Sequence, residues 1–295
     1  MWPLQQTEDG SYTFFSPEFN EHFHSQSGAH QEAAQKFVQP CDLESRARTL
    51  APGETLYLLD LCYGLGYNSA AALAAIWAVN PQAQVAIAAL ELDPRIPQQA
   101  VAQDLLQGWP EAIAQALATL AHQGTVQTER LQAHLWLGDA RQTLPQLQAT
   151  RFQADAIFLD PFSPPQCPAL WTPDFLTWAA RCLHPEGRLA TYSCAAAVRA
   201  TLRVIGLHLG ETPAVGRRAP GTVASFSTTG LAPLTPRSEE HLQTRAAVPY
   251  RDPSLRDPAA VILARRQQEQ QLSSLEPTTH WKRRWANSSN GHLAH

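Results

Sequence analysis

Apolar residues in the middle of this chain form short runs that are separated by longer amphipathic stretches. The runs predict buried strands, and they cover residues 55–61, 84–90, 133–137, 154–159, 188–192 and 222–227. The stretches between them predict helices, and they cover residues 69–79, 94–122, 172–182 and 196–206. Because strands and helices alternate, the pattern predicts an α/β fold with a doubly wound, mostly parallel sheet.

The segments on either side of this alternation differ from it in composition. Residues 1–54 are mixed and polar, with a strand-like run at 11–15 that predicts an N-terminal hairpin or lid. Residues 229–295 are rich in Pro, Arg and Gln, and they predict one exposed helix over 257–274 and disorder over 286–295. We therefore divide the chain into an N-terminal lid (1–54), a central α/β domain (55–228) and a basic C-terminal extension (229–295).

The composition predicts a folded, cytoplasmic protein. The 295 residues are 44% hydrophobic and 16% charged, which is typical of a chain with a buried core rather than a disordered one. No stretch approaches the roughly 18 uninterrupted apolar residues of a membrane span, and the N-terminus lacks the pattern of a signal peptide. The five cysteines form no Cys-x-x-Cys pair and no Cys/His cluster at zinc spacing. We therefore expect neither a metal site nor a membrane partner.

The net charge of −4 conceals an uneven distribution. Residues 1–180 carry 18 acidic and 7 basic side chains, whereas residues 181–295 carry 8 acidic and 15 basic ones. A basic half of this kind is typical of a chain that contacts a polyanion, although charge also drifts along many chains without a functional reason. The net charge therefore does not exclude a nucleic-acid partner.

The first predicted strand ends in residues that suit a ligand site. In open α/β sheets, ligands bind beyond the carboxyl ends of the strands. Here the strand ends at Asp60 and leads into a loop that contains Cys62, Gly64, Gly66 and Asn68. The two glycines let the backbone approach a ligand closely, but the loop lacks the third glycine of a dinucleotide site and the Gly-Lys-Ser/Thr of a phosphate loop.

Acidic residues follow the second and third strands. Glu91 can accept two hydrogen bonds from a ribose diol. Asp139, followed by Ala140, can accept a hydrogen bond from an adenine amine, or it can cap the next helix. Together with the glycine loop they favour an adenosine-bearing ligand without a pyrophosphate, and S-adenosylmethionine fits that description. The cofactor contacts that we predict are therefore Asp60, Cys62, Gly64, Gly66, Asn68, Glu91, Asp139 and Ala140.

The loop after the fourth strand is the most informative segment. It reads Asp160-Pro161-Phe162-Ser163-Pro164 and resembles the Asp/Asn-Pro-Pro-Tyr element of methyltransferases that act on exocyclic amines. A carboxylate and a backbone carbonyl can accept hydrogen bonds from an amine and aim its lone pair, while an aromatic ring stacks on a base. Asp160 would act either as a base or as an orienting acceptor. The alternative is an ordinary proline-rich turn.

Several segments together resemble the methyltransferase domain of the MnmC family, which modifies the wobble uridine of tRNA. They are residues 61–68, 135–139, 158–171, 187–193 and 216–218. Residues 21–25 with Gly28 and Ala29 resemble the stand-alone version of that domain more than the version fused to an oxidase. The resemblance extends over roughly residues 10–228.

The resemblance implies methyl transfer from S-adenosylmethionine to the amine of 5-aminomethyluridine, with or without a 2-thio group, in the tRNA anticodon. It implies that the loop 62–66 holds the methionine portion, Glu91 the ribose, and Asp139 with Ala140 the adenine. It further implies that Asp160 orients or deprotonates the amine and that Phe162 packs on the uracil. The other positions that it implies are Glu21, His24, Gly28 and Trp171 as lid or substrate residues, and Arg217 and Arg218 as contacts to tRNA phosphates.

The sequence also departs from the family. Cys62 stands where a glycine is usual, so we expect a backbone φ there that is not positive. Pro161 replaces the glycine of fused members, which predicts a stiffer or differently shaped loop. The FAD-binding oxidase half is absent after residue 227, so we expect methylation without FAD chemistry.

The C-terminal extension adds a basic cluster flanked by tryptophans. It reads Trp281-Lys282-Arg283-Arg284-Trp285 and predicts either a contact to tRNA phosphates and bases or a packed helix end. Residues 249–253 predict an ordered strap rather than a flexible linker.

Two other functions are compatible with these features. A small-amine transferase of the spermidine-synthase type uses a related sheet and cofactor, but it needs further acids in the amine pocket. A non-catalytic tRNA-binding protein with a relic cofactor fold is the other, and the combination of Glu91, Asp139 and Asp160 argues against it. The sequence leaves the oligomeric state open.

Overall fold

The computed structural model of the chain describes residues 2–214 and 219–290. Its N-terminal part is a small antiparallel sheet with the strand order β1-β2-β3. These strands are β1 (Leu4–Gln6), β2 (Tyr12–Ser16) and β3 (Glu21–His22). The predicted hairpin at 11–15 is confirmed as β2 with its two partners.

The central part is an eight-stranded sheet. In chain order its strands are β4 (Thr55–Leu61), β5 (Gln84–Glu91), β6 (Thr125–Gln127), β7 (Leu131–Leu137), β8 (Ala154–Leu159), β9 (Leu183–Thr191), β10 (His208–Thr212) and β11 (Gly221–Ser225). Their spatial order is β10-β11-β9-β8-β4-β5-β7-β6. The neighbours from β9 to β7 pair in parallel, and antiparallel strands complete both edges. This is the predicted doubly wound sheet, and the strand order reverses between β4 and β8, where ligands bind in such folds.

Helices flank the sheet and form the C-terminal extension. In chain order they are α1 (Ala29–Glu32), α2 (Leu43–Thr49), α3 (Tyr67–Val79), α4 (Arg95–Ala102), α5 (Glu111–Gln123), α6 (Ala140–Ala149), α7 (Pro173–Arg181), α8 (Ala196–Val204), α9 (Pro236–His241), α10 (Ala259–Leu272) and α11 (Thr278–Asn290). A π-helical turn covers Ala33–Val38, and 3₁₀ turns cover Pro168–Trp171 and Arg245–Ala247. The sequence pattern did not predict α2, α6, β6 or β10.

The core consists of two apolar layers, one on each face of the central sheet. Neighbouring residues of β4 alternate between them, since Leu58 belongs to one layer and Leu59 to the other. Phe158 and Ile157 of β8 divide in the same way. Both faces of these strands are therefore buried, which explains why their sequences are continuous apolar runs. Within the described residues, no helix is long and apolar enough to cross a bilayer.

The C-terminal extension contains the predicted exposed helix. It is α10, of which Ile262 is the one buried residue among those described. A second helix, α11, continues to Asn290 and packs on α9, where Trp281 is buried against His241 with ring centroids 4.2 Å apart. The disorder expected over residues 286–295 stays a prediction. Residues 291–295 lie outside the described residues.

Candidate active site

A cavity of about 490 Å³ lies at the carboxyl ends of β4, β5, β7 and β8. The residues that follow each of these strands form its floor, and Phe19, Glu21 and Phe23 of the N-terminal part form its cover. Its volume is in the range of a small-molecule site. The predicted site residues that line it are Cys62, Gly64, Glu91, Asp139, Ala140, Asp160, Pro161, Phe162, Glu21 and His24.

The loop after β4 has a left-handed residue where the sequence predicted none. Cys62 has a φ of 69°, so the expectation of a non-positive φ is wrong. The amides of Cys62 and Tyr63 both donate to the Leu90 carbonyl, at 3.1 and 3.0 Å, and two consecutive donors converge on one acceptor because the chain turns sharply here. A left-handed conformation costs a non-glycine residue about 1–2 kcal/mol. Gly66 packs beneath the same turn, where a Cβ would lie 2.6 Å from the Tyr63 phenol oxygen.

Glu91 faces the cavity and braces the loop. One carboxylate oxygen accepts a hydrogen bond from the Gly64 amide at 2.8 Å, and the other accepts one from the Asp93 amide at 3.0 Å. Burial raises the pKa of Glu91. A carboxylate at this position has lone pairs for ribose hydroxyls and is already oriented by the backbone.

Asp60 lies behind the loop and not in the cavity wall. Its side chain is fully buried; one oxygen accepts a hydrogen bond from the Ser69 hydroxyl at 2.7 Å, and the other has no partner among the described residues. Burial raises the pKa of Asp60 to about 7. Asp60 therefore supports the start of α3 from behind the cavity wall, and its predicted cofactor contact stays a prediction.

Asp139 caps a helix, which is one of the two roles that the sequence left open, and it also faces the cavity. It lines the cavity and also caps α6, since its carboxylate accepts a hydrogen bond from the Arg141 amide at 2.9 Å. The Arg141 guanidinium donates to both carboxylate oxygens, with a closest distance of 2.7 Å. Ala140 is buried beside it in the cavity wall.

Asp160 is oriented by a residue that the sequence assigned to the cofactor. The Asn68 amide nitrogen donates to one Asp160 oxygen at 2.8 Å, and Asn68 itself does not line the cavity. The Tyr192 hydroxyl donates to the Pro161 carbonyl at 2.9 Å and fixes the next peptide of the loop. Asn68 therefore positions Asp160, and its predicted cofactor contact stays a prediction.

The N-terminal part covers the loop that carries Asp160. Phe19 stacks on Phe162 with centroids 4.4 Å apart and an interplanar angle of 16°, and Phe23 meets the Phe162 ring edge-on at 5.0 Å. The Glu21 carboxylate accepts hydrogen bonds from the Ser163 amide at 2.8 Å and from the Ser163 hydroxyl. These contacts close the cavity on the side of Asp160.

Two residues that were predicted at the lid or substrate lie outside the cavity lining. Trp171 is fully buried beneath the loop and donates from its indole nitrogen to the Phe162 carbonyl at 2.9 Å. Gly28 does not line the cavity. It has a φ of 151°, and a Cβ there would lie 2.3 Å from an Asp9 carboxylate oxygen.

His24 lines the cavity as a neutral side chain. It is buried, and burial lowers its pKa to about 3. Its ring lies 5.0 Å from that of Tyr67, and Thr13 Oγ1 lies 3.3 Å from its Nδ1. It therefore contributes polarity but no charge to this wall at neutral pH.

The basic cluster of α11 is engaged in part. Arg284 forms ion pairs with Glu240 at 3.1 Å and with Glu276, and the Trp285 indole donates to Glu240 at 2.9 Å. Lys282 and Arg283 are exposed, and a contact of the cluster to tRNA stays a prediction. Arg217 and Arg218 lie outside the described residues. Within the described ranges, no group of three or more His, Cys, Asp and Glu side chains could hold a metal ion.

Sequence reasoning missed three residues that shape this site. Phe19, Arg141 and Tyr192 all line the cavity. Arg141 carried a signal, because it directly follows Asp139 and Ala140, which the sequence predicted as ligand residues. Tyr192 lies in the resembling segment 187–193, and Phe19 carried no signal that distinguishes it from other aromatic residues of the chain.

The chain is similar to known methyltransferases over most of its length. A family model described as S-adenosyl-L-methionine-dependent methyltransferase matches residues 97–227. The crystal structure of MnmC2 from Aquifex aeolicus superposes with a TM-score of 0.80 at 31% identity, covering 92% of this chain and 86% of that one. An uncharacterized protein of Methanocaldococcus jannaschii is 28% identical over 260 residues, covering 85% of this chain and 68% of that protein.

The chain is also similar to one part of a longer, bifunctional protein. The "tRNA 5-methylaminomethyl-2-thiouridine biosynthesis bifunctional protein MnmC" of Cupriavidus necator is 31% identical over 226 residues, or 72% of this chain. The chain spans 33% of the length of that bifunctional relative. The identity to the Aquifex protein, together with its coverage, decides the family: this chain belongs to the MnmC-like S-adenosyl-L-methionine-dependent methyltransferases.

Proposed function

We propose that this chain methylates the aminomethyl group of 5-aminomethyluridine, with or without a 2-thio group, at the wobble position of the tRNA anticodon. The product would be the corresponding 5-methylaminomethyluridine. The observation that carries the proposal is that Asp160, oriented by Asn68, lines the same cavity as Glu91 and Asp139. The names of the bifunctional relatives, which include this product nucleoside, support the choice of substrate.

The cavity wall fits S-adenosylmethionine by the chemistry of its residues. Glu91 would accept hydrogen bonds from the ribose hydroxyls, Asp139 and Ala140 would hold the adenine, and the turn at Cys62 and Gly64 would hold the methionine portion. When bound, the cofactor supplies a methyl carbon made electrophilic by its sulfonium sulfur. Such a cationic ligand suits a wall that carries several carboxylates.

Asp160 would prepare the substrate nitrogen. An alkylammonium group has no lone pair, so its nitrogen must lose a proton before it can form a bond to carbon. Asp160 would accept that proton or, for an amine that is already neutral, a hydrogen bond from its N–H. Asn68 fixes the direction of the carboxylate, which aligns the nitrogen lone pair with the cofactor side of the cavity.

The aromatic cover would keep water away from the reacting atoms. Phe19, Phe23 and Phe162 form an apolar wall on the Asp160 side of the cavity. Exclusion of water strengthens the hydrogen bonds that Asp160 makes to the amine. Because Phe19 stacks on one face of Phe162, we propose that the uracil approaches its other face or its edge.

The test separates catalysis from cofactor binding. Asp160→Ala should lower methyl transfer to tRNA that carries 5-aminomethyluridine by about 100-fold or more, the scale of general acid–base catalysis. Methylated nucleosides are counted by mass spectrometry, and the dissociation constant for S-adenosylhomocysteine, measured by calorimetry, should stay within about twofold of wild type, well below a 1.4 kcal/mol change. Asp104→Asn, at an exposed aspartate, is the control that should match wild type in both measurements.

Three results would count against the proposal. Loss of S-adenosylhomocysteine binding in Asp160→Ala would place Asp160 in the cofactor site instead. Wild-type protein that binds S-adenosylhomocysteine but leaves 5-aminomethyluridine unchanged would exclude this substrate. Wild-type protein that does not bind S-adenosylhomocysteine would favour a non-catalytic role.

A further inference from the structure

The C-terminal extension reaches the cavity wall through one buried carboxylate. The strap that the sequence predicts over residues 249–253 continues to residue 258, and we use the name for residues 249–258 from here on. The strap leads from the 3₁₀ turn Arg245–Ala247 towards α10. Tyr250 of the strap is buried in the same apolar layer as Ile262 of α10. The side chain of Asp252 has no exposed surface. The strap is therefore anchored in the body of the molecule rather than lying loosely on its surface.

The Asp252 carboxylate is held on both oxygens. One oxygen accepts hydrogen bonds from the Ser254 hydroxyl and from the amides of Arg256 and Asp257, each at 3.1 Å. The other accepts from Arg141 at 2.9 Å. Burial opposes its ionisation, but these hydrogen bonds outweigh it and lower the pKa of Asp252. The strap thus presents a fixed negative charge to Arg141.

The Arg141 guanidinium lies between two carboxylates. Its Nε and Nη2 donate to Asp139, and its Nη1 donates to Asp252 and to the Asp257 carbonyl at 3.0 Å. Every nitrogen of the group therefore has a partner, and the planar geometry of the guanidinium fixes the angle between the two contacts. Its side chain is only 15% exposed, so little water competes for these donors.

One cation shared by two anions links the strap to the cavity. If Asp252 lost its charge, Arg141 would interact more strongly with Asp139, and its Nη1 would keep the Asp257 carbonyl as its one charge-free acceptor. Both effects would shift or mask the Asp139 oxygens, which face the ligand in the proposed function. The link spans 111 positions of sequence.

We propose that Asp252 is a positioning residue of the cofactor site: acting through Arg141, it fixes the Asp139 carboxylate and thereby sets the affinity for the adenosine part of S-adenosylmethionine. This inference rests on the proposed function, in which Asp139 holds the adenine. It makes the C-terminal extension part of the cofactor site, although no extension residue lines the cavity among those described.

The test is the dissociation constant for S-adenosylhomocysteine, measured by calorimetry on the full chain. Asp252→Asn keeps the side-chain volume but places an NH₂ group or an uncharged oxygen opposite Arg141. We expect binding about tenfold weaker, within the usual range of coupling through a neighbouring residue. Asp139→Ala should weaken it at least as much. Glu269→Gln is the matched control, because it removes the ion pair of the adjacent strap residue Arg251 without involving Arg141.

A kinetic measurement separates positioning from general damage. Asp252→Asn should raise KM for S-adenosylmethionine while KM for tRNA and kcat at saturation stay near wild type. Partial unfolding would instead lower kcat and leave both KM values unchanged. If circular dichroism shows that Asp252→Asn does not fold, Ser254→Ala replaces it, since that variant removes one hydrogen bond to Asp252 without changing charge. Its expected effect is about threefold.

The outcomes are distinct. Folded Asp252→Asn, or Ser254→Ala in its place, with wild-type affinity overturns the positioning role, whatever Asp139→Ala does. Wild-type affinity in Asp139→Ala overturns it as well, because Asp139 is then not the point of action. Wild-type protein that fails to bind S-adenosylhomocysteine overturns the proposed function itself.

Discussion

Glu21 connects the N-terminal sheet to the loop that carries Asp160, and its neutralisation should impair methyl transfer selectively. The Ser163 amide and hydroxyl both donate to its carboxylate. Glu21→Gln removes the charged contact between the N-terminal sheet and the Asp160 loop, while the stacking of Phe19 on Phe162 remains. We therefore predict a lower kcat/KM for tRNA with unchanged binding of the cofactor product.

The size of the effect follows from the two hydrogen bonds. A hydrogen bond to a charged group contributes about 1.5–3 kcal/mol, and one between neutral groups about 0.5–1.5 kcal/mol. Glutamine keeps one carbonyl oxygen for the Ser163 amide, and the Ser163 hydroxyl can turn to accept from the new NH₂ group. The exchange should therefore cost about 1–2 kcal/mol rather than the full strength of both bonds. Since 1.4 kcal/mol is a factor of ten, kcat/KM should fall about 5- to 30-fold.

The assay measures initial rates at saturating S-adenosylmethionine against tRNA that carries 5-aminomethyluridine. Calorimetry with S-adenosylhomocysteine accompanies it, and Glu8→Gln, at an exposed acid of the N-terminal part, serves as the control. Wild-type kcat/KM in Glu21→Gln would refute the docking role of this contact. A parallel loss of S-adenosylhomocysteine affinity would refute its selectivity.

Two further predictions concern stability, both measured by urea unfolding followed by tryptophan fluorescence. Burial lowers the pKa of His24 in the folded protein to about 3 from its ordinary value of 6.5. Neutral His24 therefore contributes fully to the free energy of unfolding above pH 6.5, and this contribution is lost as the pH falls towards 3. The loss between pH 7.5 and pH 5 is about 2 kcal/mol. The raised pKa of Asp60 changes the stability in the opposite direction, but Asp60 is present in both proteins, so its effect cancels when wild type is compared with His24→Gln. We expect the difference in the free energy of unfolding between wild type and His24→Gln to shrink by about 2 kcal/mol from pH 7.5 to pH 5. A difference that stays constant over this range would contradict the prediction. Gly28→Ala should lower the free energy of unfolding by about 1–3 kcal/mol more than Gly10→Ala does. Both glycines have a positive φ, but only at Gly28 would the new Cβ collide with Asp9. Equal losses of stability in the two variants would contradict this steric reason.

The strands and the position of the site could be predicted from sequence because both depend on local pattern. Residues 55–61 and 154–159 are apolar runs that the sheet buries on both faces, and the structure has the same bounds for β4 and β8. Glu91, Asp139 and Asp160 each follow a strand, and parallel strands bring their carboxyl ends to one edge. Their presence in one cavity therefore follows from the order of elements.

Some elements and local conformations could not be read in this way. Helix α6 contains Pro145, which argues against a helix in isolation but is tolerated here within packed surroundings. The positive φ of Cys62 depends on the Leu90 carbonyl of the neighbouring strand, which no local pattern reveals. The packing of α11 depends on the burial of Trp281 against His241 of α9, a contact between two elements that no local pattern reveals.

The sequence by itself thus determined the doubly wound sheet and the acids at its strand ends, since apolar periodicity and strand-end position are properties of neighbouring residues. The family was indicated by the resemblance of several segments to known members and is shown by the similarity to the Aquifex protein. Only the tertiary structure decided what those acids contact. Asn68, which the sequence predicted as a cofactor residue, donates a hydrogen bond to Asp160, 92 positions away. Arg141 joins Asp139 to Asp252 of the extension. Such contacts join residues far apart in sequence, and they exist only because the packed fold brings their side chains within hydrogen-bonding distance.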